Sequence, residues 1–259
     1  MRMAELKAKY TPLDDRVFQI LFGEEKNANI TKALVQDVLG QKINKIELDK
    51  NPELRGEQRN DKIGVVDIRA EIDGGIQLDI EMQTTDNENF IKRLLLYWSR
   101  IYAKTMEKGD DYSTLKRCIV IAFVNFEVKE LKEYGLHTKW QIMETKYGKK
   151  VLTDVLELNI IEVPKAKKDD DKEAIRKWVN FMSNPYGMEV EHMAKTDEEI
   201  AEARRKLDEI NADKELVAIL EAQDFARWDY NSMMSSKQRE GERIGMEKGL
   251  KQRQDRTAK

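Results

Sequence analysis

The sequence predicts an α/β or α+β fold, a mixed sheet flanked by helices over residues 11–165, followed by a helical C-terminal region. Three observations predict it. Two apolar runs, residues 64–70 and 78–83, flank the turn Asp73-Gly74-Gly75 and read as a β-hairpin. Between that hairpin and the buried run Cys118–Val124 lies one long amphipathic segment, 87–107, with Phe90, Leu94, Tyr97, Trp98, Ile101, Tyr102 and Met106 at helical spacing. After the charged run 165–171 the period-two pattern gives way to helical spacing up to the tail.

Element by element, a helix begins after Thr11-Pro12-Leu13-Asp14-Asp15, carries Val17, Phe18, Leu21 and Phe22, and ends at Gly23. A second runs from about Asn27, with Ile30, Leu34, Val38 and Leu39, and stops at Gly40. Residues 43–48 alternate as a short strand, and 51–61 form a polar loop before the hairpin. The 87–107 helix is expected to end at Gly109. Strands follow at 118–124 and 136–145, then a strand pair or bulged strand over 151–163. The order over residues 13–163 is αα-β-ββ-α-β-β-β. Three amphipathic helices are expected beyond: one around Ile175–Met182, one from Asp197, and one from Lys214. Residues 237–259 hold eight Lys/Arg against four Asp/Glu, and Gly241, Gly245 and Gly249 recur among them. Each interior glycine disfavours helix by about 1 kcal/mol, so a marginal, flexible tail is expected. The expected domains are 11–165, a helical region 170–235, and the tail 236–259.

At 259 residues the chain can bury a sizeable core, and its 37% charged residues suit long solvated helices. A net charge of −3 gives no global attraction to polyanions, so any such partner must meet a local basic patch. Cys118 is the single cysteine and sits in an apolar run, which predicts a buried, inert thiol and excludes an intrachain disulfide. No run is long enough to span a bilayer, and the N-terminus lacks a signal-peptide apolar stretch. A soluble, cytoplasmic protein with no membrane partner is expected. His137 and His192 lack ligand spacing to each other or to Cys118.

The chemistry concentrates in the hairpin. Asp67 sits in one arm, and Asp79, Glu81 and Gln83 share a face of the other, because side chains alternate with period two. A charge inside a strand core costs several kcal/mol unless something pairs with it. Two readings fit. Carboxylates facing each other across the hairpin can hold a hard divalent cation, or Asp67 and Glu81 can pair with Arg69, Lys62 or Arg93. Asp79 reads as solvated or paired with Arg69. Arg93 and Tyr97 are four apart and project from one helix face.

The chain resembles the PD-(D/E)xK phosphodiesterase superfamily, and within it the recombination-promoting nuclease and transposase family. The resemblance rests on Asp15-Arg16-Val17-Phe18 with Leu21-Phe22-Gly23, on Val66-Asp67-Ile68, on Ile80-Glu81-Met82-Gln83, and on Phe90-Ile91-Lys92-Arg93 with Tyr97. Gly109-Asp110-Asp111-Tyr112, Leu156-Glu157-Leu158 and Pro164-Lys165 are similar too. It implies an α/β, restriction-endonuclease-like mixed sheet and hydrolysis of DNA phosphodiesters with Mg²⁺, or Mn²⁺ in its place. Residue by residue, it makes Asp67 and Glu81 the metal ligands, Asp15 an auxiliary acid, and Gln83 the occupant of the place where the superfamily usually has lysine. Arg93, Lys62 and Tyr97 are the candidate substrate-binding groups. Val66 replaces the signature proline, and Gln19 stands where many relatives carry lysine. The C-terminal helices are candidates for self-association into a homo-oligomer. The competing expectation is a nuclease-derived module that binds DNA or protein without cutting, motivated by the absent lysine and the acidic net charge.

Overall fold

A computed structural model describes residues 10–49, 68–86, 88–167 and 173–257. The first helix, α1 (Asp15–Gly23), begins where Asp14 accepts the backbone N–H groups of Arg16 at 3.0 Å and Val17 at 3.2 Å, satisfying two donors that the first turn would otherwise orphan. Its buried face carries Val17, Phe18, Leu21 and Phe22. The second helix, α2 (Ala28–Leu39), closes on left-handed Gly40. Both agree with the sequence expectation to within a residue or two.

The strands are β1 (Ile46–Leu48), β2 (Ile68–Ile72), β3 (Ile76–Gln83), β4 (Cys118–Val124), β5 (His137–Met143) and β6 (Val151–Glu162). They form one six-stranded sheet in the order β1-β2-β3-β4-β6-β5. The β1–β2, β2–β3 and β5–β6 pairs are antiparallel; β3–β4 and β4–β6 are parallel. The hairpin between β2 and β3 turns through Asp73–Gly75, where Gly74 and Gly75 have φ of 77° and 85°, a region that glycine enters without steric cost. Asp73 fastens this turn to the chain before β1, accepting Asn44 N and Lys45 N, each at 2.8 Å. The long last strand is a single strand with irregular pairing to β5, the register shifting after Gln141 and again after Ile142.

Register decides which side chains share a face. Ile68 pairs with Ile80, which pairs with Ile121. That face also bears Met82 and Phe123, and α1 packs on it: Phe18 lies 5.9 Å from Phe123, ring centre to ring centre. The opposite face bears Val120, Ala122 and Val124, with Leu156, Leu158 and Ile160 of β6. Against it lies α3 (Phe90–Lys104), inserting Phe90 and Leu94. Both faces of the central strand β4 are thus covered, which explains why all seven of its residues are buried and its sequence is continuously apolar. The α3 helix ends at Lys104, capped by Thr105, so Gly109 (φ 103°) lies in the following turn rather than at the helix end.

The C-terminal helices are α4 (Glu173–Ser183), α5 (Met188–Met193), α6 (Glu198–Ala212) and α7 (Lys214–Thr257). The sequence pattern did not predict the short α5. In α4, Trp178 is fully buried, meets Phe22 edge-on at 6.0 Å, and donates its indole N–H to Asp37 at 2.7 Å. Lys177 bridges Asp37 at 3.0 Å and Asp197 at 2.7 Å. The expected marginal tail is a continuation of α7, which runs as one helix through its three glycines. Ion pairs one turn apart, such as Arg243 with Glu240 and Glu247, support it from its own surface. By compactness the chain divides into two units, Met1–Glu209 and Ile210–Lys259, the boundary falling inside α6. Among the described residues no helix is long and apolar enough to cross a membrane.

Candidate active site

Strand β3 sorts its side chains by parity. Leu78, Ile80 and Met82 enter the core beneath α1, while Asp79, Glu81 and Gln83 turn to the α3 side, level with Val120, Ala122 and Val124. All three polar residues are buried, Glu81 at 1% exposure and Gln83 at 7%. For Glu81 and Gln83, α3 brings a cation to the buried pair. Arg93 Nη2 donates to Gln83 Oε1, and Gln83 Nε2 donates to Glu81 Oε2 at 3.1 Å. This chain fixes the amide: its oxygen is committed to the guanidinium and its N–H group faces the carboxylate. The positive charge that lysine would carry at position 83 therefore stands one residue further out, on Arg93.

Of the two expectations for Asp79, solvated or paired with Arg69, the first does not hold: it is fully buried, and among the described residues neither carboxylate oxygen has a hydrogen-bond partner. Burial pushes its carboxyl up to about 7, against the pull of Arg69, its cross-strand partner. Cys118, on the same sheet face, is buried and free, and burial followed by the Asp79 charge raises its thiol to about 11. The expected inert thiol is what the structure contains.

Asp15 opens α1 and accepts the backbone N–H of Arg16 at 3.0 Å; its helix packs on the sheet face opposite to Glu81. Tyr97 stands half-buried one turn beyond Arg93 on α3. Asp67 and Lys62 lie outside the described residues. Among the described residues no three His, Cys, Asp or Glu side chains converge as a metal site. The donors that do share the face, Asp79 and Glu81, are carboxylates of the hard-oxygen kind that suits Mg²⁺ or Mn²⁺, so the chemistry fits a divalent cation while the described set is short of a full shell. His137, whose lack of ligand spacing reads as a surface or hydrogen-bonded histidine, pairs with Asn159 at 2.9 Å.

The site is thus a buried Glu-x-Gln strand on a mixed sheet, with an arginine from the following helix closing on the glutamine. A model of the PD-(D/E)XK nuclease family transposases matches residues 12–237. The chain belongs to that family. No curated protein and no solved structure matches it. Membership places this PD-(D/E)XK chain among nuclease hydrolases, a group that typically uses divalent metals and whose expected substrate is DNA. The fold is accordingly restriction-endonuclease-like: a six-stranded mixed sheet flanked by helices, with Glu81 and Gln83 on its third strand.

Three features of this family member escaped the sequence reading. A cleft of about 810 Å³ opens beside the site, between the start of α3 (Asn89, Lys92, Leu95), the segment Val128–Leu131 and Trp140 of β5. The wall made by that segment is pinned by a buried pair: Lys165 Nζ donates to Glu162 at 2.5 Å and to the carbonyls of Leu131 at 2.6 Å and Tyr134 at 2.9 Å. Glu162 in turn accepts Val128 N at 2.7 Å. The sequence flagged Pro164-Lys165 only as a point of resemblance; the signal was a charged residue inside an apolar strand end. The third is Gln19, fully buried on α1 with neither amide atom hydrogen-bonded.

Proposed function

We propose that this chain is a metal-dependent DNA endonuclease that hydrolyses phosphodiester bonds with Mg²⁺, or with Mn²⁺ in its place, in recombination or the movement of mobile elements. The observation that carries the reading is the buried carboxylate of Glu81, oriented by Gln83 and, through it, by Arg93. Asp67 is the proposed second ligand. The support for Asp67 is its place in the resemblance, immediately before Ile68 in the sequence. Bound there, a divalent cation supplies Lewis-acid polarisation of the scissile phosphate. Glu81 and Asp67 hold it, and the Gln83 N–H group keeps one Glu81 oxygen turned in a fixed direction. Arg93 provides positive charge near the developing phosphate charge. Lys62 and Tyr97 are proposed to position the DNA, and Asp15 to assist as an auxiliary acid.

Cytoplasmic location follows from the same proposal, since DNA is its substrate. Self-association through the C-terminal helices would present two sites to two strands; α7 exposes Ile219, Phe225 and Trp228, apolar surface suited to a partner helix. The test is plasmid nicking with Mg²⁺ or Mn²⁺, together with calorimetric titration of Mn²⁺. Wild type should nick and bind, while Asp67→Ala and Glu81→Ala should do neither and yet melt cooperatively. A wild type that binds no divalent ion and nicks nothing would leave the non-cutting module as the better reading.

A further inference from the structure

The β5–β6 hairpin ends in Glu144-Thr145-Lys146-Tyr147-Gly148-Lys149-Lys150. Glu144 organises this tip by accepting the backbone N–H groups of Lys146, of Tyr147 at 2.6 Å and of Gly148 at 3.0 Å. Its carboxylate thereby faces the backbone N–H groups of its own turn. Lys146, Lys149 and Lys150 are exposed, and none has an ion-pair partner among the described residues. Lys146 lies 4.8 Å from the ring centre of Tyr147, itself 81% exposed. A hollow of about 500 Å³ runs past Tyr147 and Lys150 to the exposed Leu152. Lys149 has a φ of 53°, where glycine is the unstrained choice, and yet the position carries a cation.

Lys146, Lys149 and Lys150 concentrate positive charge on one turn of a chain whose net charge is −3. The geometry points to this tip, through Lys146, Tyr147, Lys149 and Lys150, as a DNA contact separate from the reacting site. Lysines at fixed spacing suit successive phosphates, and an exposed tyrosine offers a face to sugar or base. The tip is not part of the site. Glu81 is level with Ala122 and Ile160, and the hairpin leaves the sheet beyond Val151, at the opposite end of β6. Nine residues of strand separate those levels, on the order of 30 Å, close to one turn of B-form DNA. The register of β5 against β6 shifts after Gln141 and after Ile142, between the tip and the regular part of the sheet. The tip therefore anchors a stretch of duplex away from the bond being cut.

This inference rests on the DNA reading above, and one set of variants separates the two. Binding of a fluorescent 30-base-pair duplex is followed by anisotropy in EDTA across a KCl series, for wild type, Lys149→Gly, the triple variant Lys146→Ala/Lys149→Gly/Lys150→Ala, and Tyr147→Ala. The triple variant should flatten the slope of log affinity against log salt by about 2.7, at about 0.9 per phosphate contact, and weaken binding at least about tenfold at 0.1 M salt. Lys149→Gly should lose about one third of that slope with an equal or higher melting temperature, which excludes misfolding as the cause. Tyr147→Ala should weaken binding with the slope retained. A triple variant with wild-type affinity and slope, or a wild type without salt-dependent binding to duplex DNA, overturns the inference. Nicking by wild type with an unchanged slope in the tip variants defeats the tip alone; altered slopes without any nicking defeat the nuclease reading alone.

Discussion

Arg93 donates to the same amide that donates to Glu81, so the glutamine at position 83 joins a cation on α3 to a carboxylate on β3. A lysine at position 83 would place an ammonium against the Arg93 guanidinium in a site only 7% exposed, where like charges are poorly screened. Gln83→Lys is therefore expected to lower nicking, and Arg93→Ala to lower kcat by about 10²–10³. Single-turnover cleavage measures both. A gain of activity in Gln83→Lys would show that the amide is a deficit rather than an adapted part of the site.

Asp79 gives a pH-dependent stability with a definite sign. Its carboxyl titrates near 7 when folded, because burial disfavours the charge, and near the ordinary 3.8 when unfolded. Between those values the native state holds a proton that the unfolded state has released, so stability falls as pH rises from about 4 to about 7. Asp79→Asn removes that dependence. Urea unfolding in EDTA should find it more stable than wild type at pH 8, by a difference on the order of 2–4 kcal/mol, and nearly equal at pH 4. Parallel curves for the two proteins would refute the assignment.

The Lys165–Glu162 pair is buried, with the ammonium 5% exposed and carrying three hydrogen bonds. Replacing one partner strands the other charge in the interior at about 3–5 kcal/mol. Lys165→Met should lower the unfolding free energy by that order and loosen the segment Val128–Leu131 that walls the cleft. Hydrogen exchange at Val128 and Leu131 tests the second effect independently of the melting temperature.

Gln19 is the opposite case, since nothing compensates its amide. Gln19→Met keeps the volume and removes two unsatisfied polar atoms, so stability should rise by about 1–3 kcal/mol. Denaturant unfolding measures it. A loss of stability would mean that the amide has a partner in solution, and a loss of nicking with gained stability would tie Gln19 to the reaction.

Much of this molecule was legible in its sequence because the signals are local. The cap at Asp14, the stop at Gly40, the Asp73-Gly74-Gly75 turn and the seven-residue run of β4 each depend on a few neighbouring residues. Period-two alternation placed Asp79, Glu81 and Gln83 on one face, and the structure keeps them there. The continuous helix through Gly241, Gly245 and Gly249 was not legible, because propensity alone argues against it and the offsetting ion pairs lie one turn apart. Nor was the burial of Asp79, whose fate depends on how closely α3 lies over β3.

By itself, the sequence determined the elements of residues 13–163, their order αα-β-ββ-α-β-β-β, and the shared face of Asp79, Glu81 and Gln83, since alternation and capping act over two to four positions. Only the tertiary structure decided that Arg93 closes on Gln83, that Lys165 spans more than thirty residues to hold a cleft wall, and that three lysines at a hairpin tip stand unpaired. Those outcomes depend on the packing of elements distant in the chain, where the cost of an unpaired buried charge selects partners that spacing along the sequence does not encode.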